Sequence, residues 1–346
     1  MKGKRPGPGK FLLLFLLLCA AGILLWILVP RHYPVSRMKA RAGTAYWKLS
    51  TGSQIAYNFL PAKGNKQPYP VIFLQGGPGG YISERLVQSM QTLADEGYDV
   101  YLYDQVGSGL SKRLYDIREY TAVRHKKDLA AIVEQTGSGK VILIGQSWGA
   151  ILAALFLADH PDKVSKVILT GPGPVIPVNR ALATVIPPDS LDLRPPVVTN
   201  AMAVEQVQNG RMQAASLLAG WFGYKLVPDA EADDFQTLLN NGLNRSTVKD
   251  TAHALPDKGG GGYYAQQMTA LSFSSTPDPR ARLRKVTTPV LILRGQYDNQ
   301  PWGYVTEYLE LLQHCRLEII EGAGHNIATE QEDAYYNRIR QFLNDE

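Results

Sequence analysis

The sequence predicts an α/β protein: a mostly parallel, doubly wound sheet interrupted by a helical cap and preceded by an N-terminal transmembrane helix. Three observations predict it. Short β-rich runs alternate with amphipathic stretches of helical spacing. More than a hundred residues between Gly171 and Pro289 hold no convincing strand. Residues 11–29 form one uncharged apolar run.

Residues 1–10 are a basic tail with Lys2, Lys4, Arg5 and Lys10. The run Phe11–Val29 follows, its aliphatic character broken only by Gly22 and Trp26. That is about the length an α-helix needs to cross the hydrocarbon core of a bilayer. A cleaved signal peptide would have a shorter apolar core followed by a small-x-small site. The one small cluster, Cys19-Ala20-Ala21-Gly22, sits mid-run with Ile23–Val29 still to come, so an uncleaved anchor is the favoured reading. Positive charge is split about evenly across the run and barely orients it. The short basic tail favours an extracytoplasmic position for the rest of the chain. Residues 30–43 read as a basic linker.

The core is expected in residues 44–173 and 286–346. Alternation over Thr44–Ser50 and Ser53–Leu60, around Thr51-Gly52, looks like a hairpin. Then come the runs Pro70–Gln75, Tyr98–Asp104, Val141–Gly145, Val167–Thr170, Pro289–Arg294 and Leu317–Glu321. Several are apolar without alternation, as parallel strands covered on both faces are. Between them Ser83–Glu96, Ala122–Thr136 and Ala150–Asp159 have helical spacing. Residues 174–285 hold helix-like pieces at Thr199–Gln208, Met212–Phe222 and Ala230–Asn240. A stretch that long carries its own structure, and its Leu, Met, Trp and Tyr argue against disorder. It is read as an inserted cap. The tetrad Gly259-Gly260-Gly261-Gly262 is either a hinge near the cap's mouth or an ordinary flexible loop.

Composition narrows the function. Of 346 residues, 45% are hydrophobic and 19% charged, which is globular rather than disordered. The formal charge of +5 suggests nucleic acid, but residues 1–41 contain eight Lys and Arg and no acid. Taking those eight from +5 leaves −3, so the globular part has no excess to neutralise phosphates, and no nucleic-acid partner is expected. Cys19 and Cys315 are too few for a disulfide framework, and Cys19 lies in the apolar run. The sequence carries no signal for oligomeric state.

The sharpest chemical signal is Gly145-Gln146-Ser147-Trp148-Gly149, directly after an apolar strand and before a helix. This is the context of a nucleophile elbow, in which flanking glycines let a serine occupy a strained strand-to-helix turn. A serine hydroxyl needs a base. Of six histidines, His325 alone follows the last predicted strand in a small-residue turn, Glu321-Gly322-Ala323-Gly324. Asp298 lies four residues past the strand ending at Arg294, between Ser147 and His325 in the order these groups take on such sheets. A carboxylate there fixes the imidazole tautomer. An oxyanion needs two donors; the N–H of Trp148 supplies one, and Gly77 or Gly76, in the loop Gln75-Gly76-Gly77-Pro78-Gly79-Gly80, offers the other.

Together these segments, with Asp104-Gln105 and its Gly107, Gly109 and Ser111, resemble the proline iminopeptidase-like serine peptidases of the α/β-hydrolase fold. The similarity covers roughly residues 44–173 and 286–344. It implies removal of an N-terminal residue, often proline, through an acyl-enzyme, without metal or cofactor. Two positions depart from the family: Gln75 stands where histidine usually precedes the glycines, and Val106 where arginine usually follows Asp-Gln. The family holds the substrate's ammonium on cap carboxylates. Glu205, Glu231 and Asp233 are the candidates, with Asp229 and Asp234 beside them, although each also fits a solvated helix face.

The expectation is therefore a membrane-anchored serine hydrolase acting on a small peptide or small acyl substrate, an aminopeptidase first, a carboxylesterase or amidase as the alternative. A tethered binding protein that has lost catalysis is a further alternative, disfavoured because all three triad positions are filled.

Overall fold

The computed structural model describes residues 8–205 and 209–345. Lys2, Lys4 and Arg5 of the basic tail, and the end of the piece read to Gln208, lie outside the described residues.

Helix α1 (Pro8–Leu28) comes first, followed by strands β1 (Thr44–Lys48), β2 (Gln54–Leu60) and β3 (Val71–Leu74). Then come α2 (Glu84–Asp95), β4 (Val100–Tyr103), α3 (Ala122–Gln135), β5 (Val141–Gln146), α4 (Trp148–Asp159) and β6 (Val164–Thr170). The cap supplies α5 (Asn200–Glu205), α6 (Gly210–Phe222), α7 (Asp229–Asn244) and α8 (Tyr263–Leu271). The chain closes with α9 (Arg280–Leu283), β7 (Val290–Gly295), α10 (Trp302–Leu311), β8 (Cys315–Ile320), α11 (Ile327–Glu330) and α12 (Glu332–Asn344).

The eight strands form one sheet in the order β1-β2-β4-β3-β5-β6-β7-β8. β1 and β2 are the antiparallel hairpin, and β2 meets β4 antiparallel; the remaining pairs are parallel. The unalternating strands are explained by their burial. Ile72, Leu143, Val167, Leu169 and Ile292 enter one apolar cluster with α3, α4 and α10. Their chain neighbours Phe73, Ile144, Ile168 and Leu291 enter a second cluster with α2 and α12. Each fully buried aliphatic side chain of this kind stabilises the fold by roughly 1.5–3 kcal/mol. Polar caps set the helix starts: Ser83 accepts from the Leu86 N–H, and Thr121 from the Arg124 N–H. β6 starts before the expected Val167: Val164 and Lys166 pair with β5 around an irregularity at Ser165, and the two half-buried polar residues interrupt the apolar signal.

The glycine tetrad is neither hinge-like nor loose. Gly259 and Gly260 have φ of 111° and 89°, open to glycine alone at little cost. The Gly109 N–H donates to the Gly260 carbonyl at 2.9 Å. A Cβ on Gly262 would stand 2.6 Å from the Gly107 carbonyl, and one on Gly79 2.9 Å from that of Gly262. Three glycine stretches thus interlock backbone to backbone where cap meets sheet.

The side chains of α1 are exposed along Phe11–Leu28, and the end of the helix docks on the cap. Arg211 Nη1 donates to the Ile27 carbonyl at 2.5 Å, and the Arg31 N–H donates to Glu231 Oε1 at 2.9 Å. Arg41, assigned by sequence to the linker, is buried in the sheet domain. Its guanidinium donates to Asp104 Oδ2, Asn58 Oδ1 and the Ile82 carbonyl, each at 3.0 Å. Cys19 and Cys315 are both free thiols.

Candidate active site

Ser147 sits between β5 and α4 with φ 54° and ψ −116°. It is one of two non-glycine residues with positive φ among the described residues, a conformation that costs on the order of 1–3 kcal/mol and persists only where the surroundings impose it. Here they do. A side chain on Gly149 would overlap the Leu74 carbonyl, and one on Gly145 the Gly149 carbonyl. The serine is held at the carboxyl edge of the sheet, and the Trp148 N–H, in the first turn of α4, has no acceptor within the helix.

The loop after β3 passes alongside. The Cα of Gly76 faces the serine so closely that a Cβ there would lie 3.3 Å from Ser147 Cβ. Gly77 adopts φ 125°. What fixes this loop is Gln105, fully buried after β4. Its Nε2 donates to the carbonyls of Gln75 at 2.7 Å and Gly76 at 3.1 Å. Its Oε1 accepts from the Gly79 N–H and from the Trp148 indole, both at 3.0 Å. One amide therefore ties the glycine loop to the helix that carries the serine.

His325 follows β8 and is 5% exposed. Its Nδ1 lies 2.8 Å from Asp298 Oδ1, which also accepts from the Gln300 N–H at 2.9 Å. Burial would raise the Asp298 carboxyl, but His325 and the Arg294 guanidinium, 4.0 Å away, hold it below its usual value. An ionised carboxylate in this position orients the ring with Nδ1 protonated and leaves Nε2 with a free lone pair. Gly171, at the end of β6, makes room: a Cβ there would stand 2.7 Å from His325 Nδ1. The loop is held from the cap side. Glu330 accepts from the Gly324 N–H at 2.8 Å, the Lys249 N–H at 2.9 Å and the Asp250 N–H at 3.0 Å. Asn326 is bonded to Gln146 beside the serine and to Thr247.

Ser147, His325, Gly76 and Gly77 line one cavity of ≈ 380 Å³, roofed by α7 and α8. Trp148 and Asp298 lie beneath its floor, 2% and 5% exposed. The expected cap acids are elsewhere. Glu231 is bound to Arg211, with oxygens 2.6 and 2.9 Å from its guanidinium, beside the end of α1. Asp233 is bound to Arg113 at 2.8 Å and accepts from the Tyr263 N–H; burial pushes its carboxyl up to about 6 against the pull of Arg113. Glu205 is exposed at the end of α5. None of the three lines the cavity, because each expected acid is consumed by an arginine or faces away. The carboxylate that does is Asp257, in the cap segment before the glycine tetrad. Burial raises it, opposed by hydrogen bonds from Tyr81, Asn240 and Asn244. Sequence reasoning, which looked for acids on cap helices, passed it over; its place two residues before Gly259 was the available signal.

The family model described as the alpha/beta hydrolase fold matches residues 69–331. The chain belongs to the α/β-hydrolase family. Among curated proteins, a proline iminopeptidase of Saccharolobus solfataricus is 23% identical over 312 residues, covering 86% of this chain and 91% of that enzyme. A proline iminopeptidase of Lactobacillus delbrueckii subsp. bulgaricus is 36% identical over 132 residues, covering 34% of this chain and 44% of that enzyme. Among solved structures, an esterase from Exiguobacterium antarcticum superimposes with a TM-score of 0.57 at 19% identity, over 87% of this chain and 99% of its own. These likenesses make the α/β-hydrolase a relative of proline iminopeptidases and place its cap and sheet within a fold shared with esterases.

Proposed function

We propose that this α/β-hydrolase is a membrane-anchored serine aminopeptidase that releases the N-terminal residue of small peptides through an acyl-enzyme. The observation that carries it is the buried Asp298–His325 pair, in hydrogen-bond contact, with His325 lining the same cavity as the strained Ser147.

The proton of Ser147 Oγ passes to His325 Nε2 as the oxygen attacks the substrate carbonyl. The carbonyl oxygen takes the negative charge, received by the N–H groups of Trp148 and of Gly76 or Gly77. As the C–N bond breaks, the imidazolium returns its proton to the leaving amine. Water, deprotonated by the same imidazole, then releases the acyl group from Ser147. Asp257 is the carboxylate available to receive the substrate's ammonium, the role for which Glu205, Glu231 and Asp233 are spoken for or misplaced. The curated relatives that are proline iminopeptidases support a peptidase over other hydrolases.

The anchor reading rests on α1: an 18-residue window with mean hydropathy 3.0 and no buried residue. A 21-residue helix is about 30 Å long, the thickness of the hydrocarbon core.

Fluorophosphonate labelling of the membrane fraction tests both parts. The wild type should label and resist carbonate extraction, and Ser147→Ala should not label. Persistent labelling of Ser147→Ala would remove Ser147 from the mechanism. Cleavage of short-chain esters without any aminoacyl arylamide would make the enzyme an esterase.

A further inference from the structure

The cavity wall has a chemistry that proline does not match. Ligand pockets are mostly apolar with a few polar groups, yet ten of the twenty-two residues lining this one are Asn or Gln, while Pro78 and Leu243 are its aliphatic members. Neither Lys nor Arg is among them. One face of α7 supplies Gln236, Asn240 and Asn244 at a spacing of four, so that all three point the same way.

Asp257 fixes the polarity of this wall. A carboxylate only accepts, so Asn240, which hydrogen-bonds it, must turn its amide nitrogen toward it. That leaves Asn240 Oδ1 to accept from Gln236 Nε2, at 2.8 Å. Gln236 Oε1 is then left over: it is buried, the residue is 1% exposed, and the oxygen has no hydrogen-bond partner. Gln75 Oε1 and Gln266 Oε1, on the same cavity, are buried without partners as well. Three acceptors wait for donors beside a site that already provides for the ammonium. A pyrrolidine ring filling that space would leave these buried oxygens unpaired and offer them nothing.

We propose that the residue released carries a side chain with its own hydrogen-bond donor, an amide or hydroxyl, and that the enzyme is selective for such polar N-terminal residues over proline and aliphatic ones. This rests on the aminopeptidase reading above. Gln236 is the specificity-determining residue: its Oε1 receives the donor of the substrate side chain.

The full chain in detergent micelles is assayed on aminoacyl-coumarin amides of Gln, Asn, Ser, Pro, Ala and Leu. The Gln, Asn or Ser substrate should exceed Pro and Leu in kcat/KM by tenfold or more. Gln236→Leu should erase most of that margin, through a loss on the polar substrates and a gain on Leu; Gln236→Asn, a smaller change should the leucine variant fail to fold, should lower the polar substrates alone. A preference for Pro, or a margin untouched by both variants, overturns the inference while leaving an aminopeptidase. Labelling of Ser147 with no aminoacyl amide cleaved overturns the aminopeptidase reading and the inference with it.

Discussion

The amide oxygen of Gln105 accepts the indole N–H of Trp148 at 3.0 Å, and in doing so couples the glycine loop to the helix that begins at the serine. The Gly79 N–H shares that oxygen, and the carbonyls of Gln75 and Gly76 hold the amide nitrogen. The two proposed oxyanion donors, Trp148 and Gly76 or Gly77, come from chain segments far apart in sequence, and one buried side chain ties them together. Gln105→Leu should lower kcat by about ten- to a hundredfold with little change in KM, since it moves donors used in the transition state. It should also lower stability, each orphaned buried group costing about 1–3 kcal/mol. Steady-state kinetics and thermal melting read the two effects; a kcat within twofold of wild type would show that the loop holds its place without Gln105.

Asp298→Asn should leave the fold intact and lower kcat by about 10³–10⁴-fold, because an amide nitrogen facing Nδ1 would select the wrong imidazole tautomer. Pre-steady-state acylation with an activated ester is the direct measurement. A loss under tenfold would mean that the Asp298–His325 contact is structural.

Asp257→Asn should raise KM for aminoacyl amides at least tenfold and spare short-chain acetyl esters, which have no ammonium to place. Equal losses on both substrates would assign Asp257 to the packing of Tyr81, Asn240 and Asn244 instead.

His125 gives the protein an acid-labile point. It is buried under Trp148, with Nε2 3.0 Å from Thr269 Oγ1, and burial pushes its imidazole down to about 3. An unfolded histidine titrates near 6.5. Between those values the unfolded chain binds the extra proton, so stability is full above about pH 6.5 and falls as the pH drops toward 3, by up to about 1.4 kcal/mol per unit. His125→Gln keeps a partner for Thr269 and cannot titrate. Urea midpoints from pH 7 to 4.5 should decline less steeply in that variant; parallel curves would exclude His125 as the source.

Arg41 should matter more than a linker residue would. Removing it leaves Asp104, 0% exposed, with its two backbone donors from Ile82 and Leu110 but no cation. Arg41→Met should destabilise the sheet domain by about 3–5 kcal/mol in urea titration; a change within 1 kcal/mol would return Arg41 to the linker.

The sheet was legible in the sequence because burial on both faces writes itself as an apolar run, and Leu291–Leu293 or Val141–Ile144 need no partner to be recognised. Ser147 was legible because its turn demands glycines at fixed offsets, and Asp298 and His325 because topology orders them after their strands. The acids of the cap were not. Glu231 and Asp233 have suitable chemistry, but their partners, Arg211 and Arg113, stand 20 and 120 residues away, and no local pattern announces that pairing. Gln105 was visible only as part of a motif, without its role, and Gly171 and Glu330 were missed, for the same reason: each acts on a neighbour brought in by the fold, by donating, by making room or by accepting.

The docking of α1 has a mechanical side. Its exit from the proposed bilayer is gripped by Arg211 of α6 and Glu231 of α7, both in the cap and neither in the sheet. Glu231 shares its helix with Gln236, Asn240 and Asn244. If α1 is held in a bilayer as proposed, a pull on that leash would reach the helix bearing the cavity's amide wall before it reached the sheet.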